Sequence, residues 1–508
     1  MNDLDYIKQE LNHYGQAHLL NFWDDLNQTQ QVNLLTEIKN LNLKEVTQYF
    51  ADANQSLKAA NDKIDDLLEP LPAAVCGSVT RCSVQQIHDY YKLGLEKIGD
   101  NQVAVLLLAG GQGTRLGVDY PKGMYSVGLA SNKTLYQLQA ERILKVQQLV
   151  NKKCSVIWYI MTSEHTKQQT EKYFEANNYF GLDKENVVIF EQFLLPSMTF
   201  DGKIIKSAKD KLALSPDGNG GLYRALRDRH IFEDMEKRNI KYIHVYCVDN
   251  ILVKMADPVF IGYCVSKGAD CGAKVVEKAF PTEAVGVVCK VGGNYQVVEY
   301  SEITLATAEK RNDDGRLMFS AGNICNHFFT TEFLHKILEK HEPELKHHVA
   351  KKKITCIDEK GNQFMPTEPN GIKMEKFVFD VFRLCDNFAV WEVLREDEFK
   401  PLKNAEGKPK DTPSTCLHAL HNLHHRYVLN AGGKFIQKNG TPIPDIPSKN
   451  CHSHSAATNS QANDCDDSVV ECEISPLVSY AGEGLEKLVK GKSFVPPLLI
   501  NEDRINDV

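Results

Sequence analysis

No apolar run in this chain approaches the roughly 20 residues needed to cross a bilayer, and no membrane partner is expected. The opening Met1-Asn2-Asp3-Leu4-Asp5 carries acids where a secretory signal carries an apolar region. No two of the 14 cysteines stand in a C-x-x-C pair, and they are scattered along the chain without a repeating pattern. That pattern reads as reduced thiols, many of them core residues, in a cytoplasmic protein. Positive charge is not in excess: 59 basic against 67 acidic residues give a net charge of −8. With no strongly basic face, nucleic acid is not expected as the main partner. The one local basic run, Lys346-His347-His348 through Lys351-Lys352-Lys353, reads as a solvated face. Internal repeats are absent.

What is present is a long globular chain. Its 508 residues exceed one ordinary core, and 42% hydrophobic with 25% charged residues is a globular balance. Residues 1–97 show helical periodicity at Leu4, Ile7 and Leu11, at Leu19, Leu20 and Trp23, and at Val32, Leu35 and Ile38. A helical supporting domain is expected there, closed by a loop at Pro70 and Pro72. Residues 98–390 alternate strands with helices: strands at Val103–Leu108, Ser155–Met161, Val187–Phe190 and Tyr242–Val248, helices at Leu135–Leu149, Glu164–Asn177 and Gly221–Lys237. This predicts an α/β domain, with a mostly parallel sheet covered by helices on both faces. Cys271–Ile303 is β-rich, with a hairpin turn at Gly292-Gly293-Asn294. Residues 391–508 predict a small mixed C-terminal domain, with a mobile loop at 448–467 that is rich in Ser, Asn, His and Asp.

The chain is organised around Leu108-Ala109-Gly110-Gly111-Gln112-Gly113-Thr114-Arg115-Leu116-Gly117, which follows the first buried strand. Glycines there let bare N–H groups approach a phosphate, and one arginine and one lysine can hold the outer phosphates. Gly111, Gly113 and Gly117 do not give the G-x-G-x-x-G of dinucleotide sites, and Gly117 to Lys122 lacks the second glycine of a Walker loop. In an open α/β sheet, ligands gather at the carboxyl ends of strands, where Gly110, Gln192 and Asp249 all fall.

The string L-x-x-G-x-G-T-x-L-G-x-x-x-P-K, from Leu108 to Lys122, resembles the signature of sugar-nucleotide pyrophosphorylases. Pro121–Tyr125, Pro216–Gly221, Gly371–Glu375, Glu473–Leu477 and Tyr480–Leu485 narrow the resemblance to the eukaryotic UDP-N-acetylglucosamine pyrophosphorylases. It implies a Rossmann-like catalytic domain and a reaction of UTP with N-acetylglucosamine 1-phosphate that yields UDP-N-acetylglucosamine and pyrophosphate. It also implies Mg²⁺ as cofactor, and it is compatible with a homo-oligomer. Leu108, Ala109, Gly110 and Gly111 would lie against the nucleotide, and Arg115 and Lys122 would meet the pyrophosphate. Gln192 would read uracil, its side-chain amide offering a donor and an acceptor. Gly218 would let backbone approach UTP, and Asp249 would ligate Mg²⁺. Asn219, Glu299, Tyr300 and Asn323 match sugar-binding positions, Lys373 a phosphate-contacting lysine, and Lys403 one that meets the sugar phosphate. Taken alone, Glu299 and Lys403 would read as surface charges, and Asn219 as a turn-former. Pyrophosphorylases for glucose or N-acetylgalactosamine, and a nucleotide-sugar-binding regulator without turnover, are the alternatives. Cys416, His418, His421, His424 and His425 read as packing or surface residues, and Cys451, His452, His454 and Cys465 as part of a flexible tract.

Overall fold

The protein is described by a computed structural model covering residues 3–59, 64–444, 446, 469–502 and 505–507. The expected loop at 448–467 lies outside the described residues. Two compact units are present, each built from separated stretches of chain. The first joins Met1–Ile64, Gln192–Ile231 and Lys336–Val381, and the second joins Asp65–Glu191, Phe232–His335 and Phe382–Val508. These units differ from the consecutive segments 1–97, 98–390 and 391–508, and burial is the reason. The N-terminal helices bury Leu11, Leu34, Ile38 and Val46 against Leu195, Met198, Ile204, Leu212, Ile372 and Met374, so their core needs the two later insertions.

The first unit opens with the helices Asp3–His13, Gln28–Lys39 and Leu43–Ala59. Asn27 and Gln30 form a reciprocal capping box that starts the second. The buried pair on that helix is Leu34 and Ile38, one turn apart, whereas Val32 is 57% exposed, contrary to the sequence periodicity. Strand Gly371–Glu375 pairs antiparallel with His348–Lys352 and with Met198–Thr199.

The second unit is built on an eleven-stranded sheet. Its strands are β1 (Leu68–Glu69), β2 (Cys76–Ser78), β3 (Val103–Leu108), β4 (Ile157–Thr162), β5 (Val187–Glu191) and β6 (Tyr242–Cys247). After these come β7 (Cys271–Glu277), β8 (Val287–Val291), β9 (Asn294–Val298), β10 (Ala321–Thr330) and β11 (Phe388–Val393). The order is β2-β11-β7-β10-β6-β3-β4-β5, with β8 joining β10 to β9 and β1. Along that path, pairs β2-β11, β11-β7, β6-β3, β3-β4 and β4-β5 are parallel, and only the two made by β10 are antiparallel. The sheet is therefore mostly parallel, and every residue of β3 and β4 is buried, as strands covered on both faces require. Strand β2 occupies the edge that follows the Pro70–Pro72 loop. Val291 pairs with Asn294 across Gly292 and Gly293, so the hairpin turn expected at Gly292-Gly293-Asn294 is present as a two-residue turn and Asn294 already belongs to the strand. The helix expected over Gly221–Lys237 is instead two, Leu222–Asp228 in the first unit and Ile231–Lys237 almost wholly in the second, because His230 takes a positive φ of 58° before the latter.

Candidate active site

Each unit gathers its own set of the predicted site residues. In the second unit, β3 feeds directly into the glycine loop. The Ala109 N–H donates to the Met161 carbonyl at 2.8 Å, and the Ser163 hydroxyl donates to the Gly110 carbonyl at 2.9 Å. These bonds anchor the start of the loop on β4 and its exit. A side chain on Gly111 would meet no atom within 4 Å, so this backbone faces open space, as phosphate approach requires. The loop then turns at Thr114–Leu116, and Gly117 ends that turn at φ 80°. An open depression along it is lined by Gln112, Thr114, Gly117, Val118, Asp119 and Tyr120.

A segment of which the sequence singled out only Lys403, 398–405, ties the cationic and acidic candidates together. The Leu402 N–H donates to the Asp249 carbonyl at 2.8 Å, and the Leu402 carbonyl accepts from Lys122 Nζ at 3.1 Å. The Ala405 N–H donates to the Arg115 carbonyl at 3.0 Å, while the Lys403 and Asn404 N–H groups share the Asp411 carbonyl. Asn250, next to Asp249, fastens the same segment: its Nδ2 donates to the Glu398 carbonyl at 2.7 Å and its Oδ1 accepts from the Lys400 N–H at 3.0 Å. Arg115, Lys122, Asp249 and Lys403 are thus held by one strap at the carboxyl ends of β3 and β6. Behind it, buried Lys274 bridges Asp257 at 2.6 Å and Glu398 at 2.5 Å.

Two sugar-binding candidates meet at Gly286. The Asn323 N–H donates to the Gly286 carbonyl at 2.8 Å, and a side chain on Gly286 would stand 3.1 Å from Glu299 Oε1. Tyr300, adjacent, is 50% exposed. The side chain of Asn323 accepts from the Cys325 N–H at 3.1 Å. A hydrogen bond between the thiols of Cys247 and Cys325 lowers the Cys325 pKa and raises that of Cys247.

In the first unit, the ladder of Leu194–Pro196 with Leu214–Pro216 continues through the Asp217 N–H to the Phe193 carbonyl, at 3.1 Å. This brings Gly218 alongside buried Gln192. Gly218 sits at φ 89° and ψ 172°, a region that only glycine occupies without strain, and a Cβ there would overlap the Lys376 carbonyl. The Gly220 N–H donates to that same carbonyl at 2.8 Å, the Lys376 N–H donates to the Asp217 carbonyl at 2.9 Å, and Asn219 Oδ1 accepts from the Val378 N–H at 3.0 Å. Asn219 therefore fixes the glycine turn to the strand end that follows Lys373. Lys373 lies between buried Ile372 and Met374, so strand alternation sends it away from the core. Asp217 is the residue missed here. Burial pushes its carboxyl up to about 7, against the opposing pull of Lys376 and Arg224, and its Oδ1 has no hydrogen-bond partner among the described residues.

The histidines of helix Pro413–Asn430 pack inward: His421, His424 and His425 are buried, and His421 Nδ1 lies 2.9 Å from the Cys472 carbonyl. Among the described residues, no group of three or more His, Cys, Asp or Glu is placed to hold a metal ion. Cys451, His452, His454 and Cys465 lie outside the described residues. No described helix is long and apolar enough to cross a membrane.

A glycine loop at the end of a mostly parallel sheet suits a nucleotide, and comparison with known proteins decides the family. The profile of the UTP–glucose-1-phosphate uridylyltransferase family matches residues 46–461. The chain belongs to this uridylyltransferase family. It is 55% identical over 485 residues to the UDP-N-acetylhexosamine pyrophosphorylase-like protein 1 of Xenopus tropicalis, covering 94% of this chain and 92% of that one. It is 39% identical over 490 residues to the UDP-N-acetylglucosamine pyrophosphorylase of Saccharomyces cerevisiae, covering 94% and 96%. The crystal structure of the UDP-N-acetylglucosamine pyrophosphorylase of Trypanosoma brucei superposes with a TM-score of 0.78 at 29% identity, covering 96% and 95%. In this uridylyltransferase the mostly parallel sheet is thus the family's own.

Proposed function

We propose that this uridylyltransferase joins UTP to N-acetylglucosamine 1-phosphate, releasing pyrophosphate. The observation that carries the reading is the strap that holds Arg115, Lys122, Asp249 and Lys403 together at the phosphate loop. An oxygen of the sugar phosphate attacks the α-phosphorus in line, the α–β bridging bond breaks, and its electrons leave with pyrophosphate. No side chain becomes covalently bound, so positioning and charge neutralisation carry the rate. Arg115 and Lys122 neutralise the leaving pyrophosphate. Lys122, held at the Leu402 carbonyl, is already on the strap that meets Asp249. Lys403 and Lys373 take the remaining phosphate charge, and the Gln192 amide reads the imide edge of uracil. Leu108 to Gly111 and Gly218 present backbone to the nucleotide, while Asn219, Glu299, Tyr300 and Asn323 contact the sugar.

A divalent metal belongs to this reading, with Mg²⁺ the ion that fits best. Asp249 offers a hard carboxylate oxygen at a strand end, and Mg²⁺ needs only one or two carboxylates beside phosphates and waters. When bound, it neutralises phosphate charge at the α-phosphorus. The sugar is supported by the relatives, which are named for N-acetylhexosamine and N-acetylglucosamine, although the family profile is named for glucose. The test is pyrophosphate release from UTP with N-acetylglucosamine, N-acetylgalactosamine and glucose 1-phosphates. The highest kcat/KM is expected with N-acetylglucosamine 1-phosphate. Equal or better turnover with glucose 1-phosphate would overturn the sugar, and no turnover with any would point to a binding regulator.

A further inference from the structure

The end of β6 carries a feature that the uridylyl transfer does not use. The antiparallel register between β6 and β10 runs from Tyr242 opposite Thr330 to Tyr246 opposite Asn326. Cys247 and Cys325 are the next residue on each strand, and a hydrogen bond joins their thiols. Both are half-buried rather than sealed in the core. On its other side β10 loses register: Lys274 faces Asn326 and Val275 faces Asn323, which leaves Ile324 and Cys325 as a bulge. Cys325 holds φ at 50° there, a strained conformation for a residue with a side chain. The flanking positions belong to the site just described. Cys247 pairs with Leu108 across the sheet and lies two residues before Asp249, and the Cys325 N–H donates to the Asn323 side chain.

We propose that Cys247 and Cys325 form an oxidation site, in which a peroxide converts the thiol pair to a disulfide that pins the Asp249 strand end to the Asn323 bulge. In the first step a thiolate sulfur attacks the peroxide, the O–O bond breaks, and a sulfenic acid forms as water leaves. In the second, the other thiol displaces the sulfenic oxygen, the S–S bond forms, and a second water leaves. Two thiols are oxidised and one peroxide is reduced to two waters. A dithiol reverses the change by exchange. A disulfide holds its Cα atoms within about 4.4–6.8 Å, so it removes the freedom of the bulge to reshape around the sugar. The link itself depends only on the thiol geometry, whereas its effect on turnover rests on the placement of Asp249 and Asn323 proposed above.

The experiment treats the full chain with hydrogen peroxide, maps non-reduced peptides by mass spectrometry, and assays pyrophosphate release before and after dithiothreitol. A peptide linking Cys247 to Cys325 is expected, with activity lowered about tenfold and restored by the dithiol. Cys247→Ala and Cys325→Ser are each expected to keep basal turnover and to lose less than twofold on oxidation. If Cys325→Ser fails to fold at its strained position, Cys247→Ala and the peptide map carry the test. Absence of the link while other cysteines are oxidised, or inactivation of Cys247→Ala as deep as that of the unsubstituted protein, would overturn the proposal. A mapped link with unchanged turnover would instead overturn the placement of Asp249 and Asn323 at the site.

Discussion

Asp217 gives the most quantitative handle on this protein. Its carboxyl ordinarily titrates at 3.8 and is raised to about 7 by burial. The folded chain therefore keeps this proton up to about pH 7, while the unfolded chain gives it up near 3.8. Between those values the folded state binds more protons, so stability falls as pH rises across the window and levels off above it. From those two values the loss between about pH 5.5 and about pH 8.5 is roughly 2 kcal/mol. Asp217→Asn has no such titration and keeps a similar volume. Urea unfolding of both proteins across pH should therefore give a stability difference that shifts toward the variant by about 2 kcal/mol over that range. The introduced asparagine is neutral at every pH, so the variant's relative gain builds up between the two values and stays constant above about pH 7. Parallel pH curves for the two proteins would refute the reasoning, since they would mean that the Asp217 carboxyl is ionised throughout.

Lys122→Ala should lower kcat about 100-fold with little change in KM, because its contact with pyrophosphate strengthens as charge develops; a raised KM with intact kcat would make it a binding residue only. Asp249→Ala should abolish metal-stimulated turnover, and an unchanged Mg²⁺ titration would remove it from the site. Gly218→Ala should cost about 1–3 kcal/mol for its backbone region alone, read as a lower urea midpoint together with weaker UTP binding, and unchanged values of both would contradict the close approach to Lys376. Lys274→Met leaves buried Asp257 without its partner and Glu398 with Lys254 alone, which should destabilise the protein by about 3–5 kcal/mol; an unchanged urea midpoint would show that this ion group does not hold the strap.

The parts of this protein that could be read from sequence are those whose chemistry is local. A buried strand, a glycine loop and a Pro-Lys pair close together in the chain leave a pattern that can be read directly, and Leu108 to Lys122 shows it. The alternation of strands and helices likewise reported a mostly parallel sheet. The strap at 398–405 left no such trace, since it acts through the carbonyls of Asp249, Leu402, Arg115 and Asp411, which every residue type possesses. Lys403 illustrates the difference: only resemblance singled it out, and its place on the strap that also holds Lys122 is visible only in the folded chain. Val32 and Leu34 show the same limit in packing, where apolar residues two positions apart lie on opposite helix faces and only the assembled core chose which face turned inward. Asp217 lay inside a recognised segment, yet its importance depends on burial near Lys376 and Glu342, which are far away in the chain. Long-range burial is also what divides the chain into units that do not follow its linear order. It follows that the substitutions most informative about mechanism lie in the local motif, whereas those most informative about how the site is held lie at residues such as Asp217, Lys274 and Asn250.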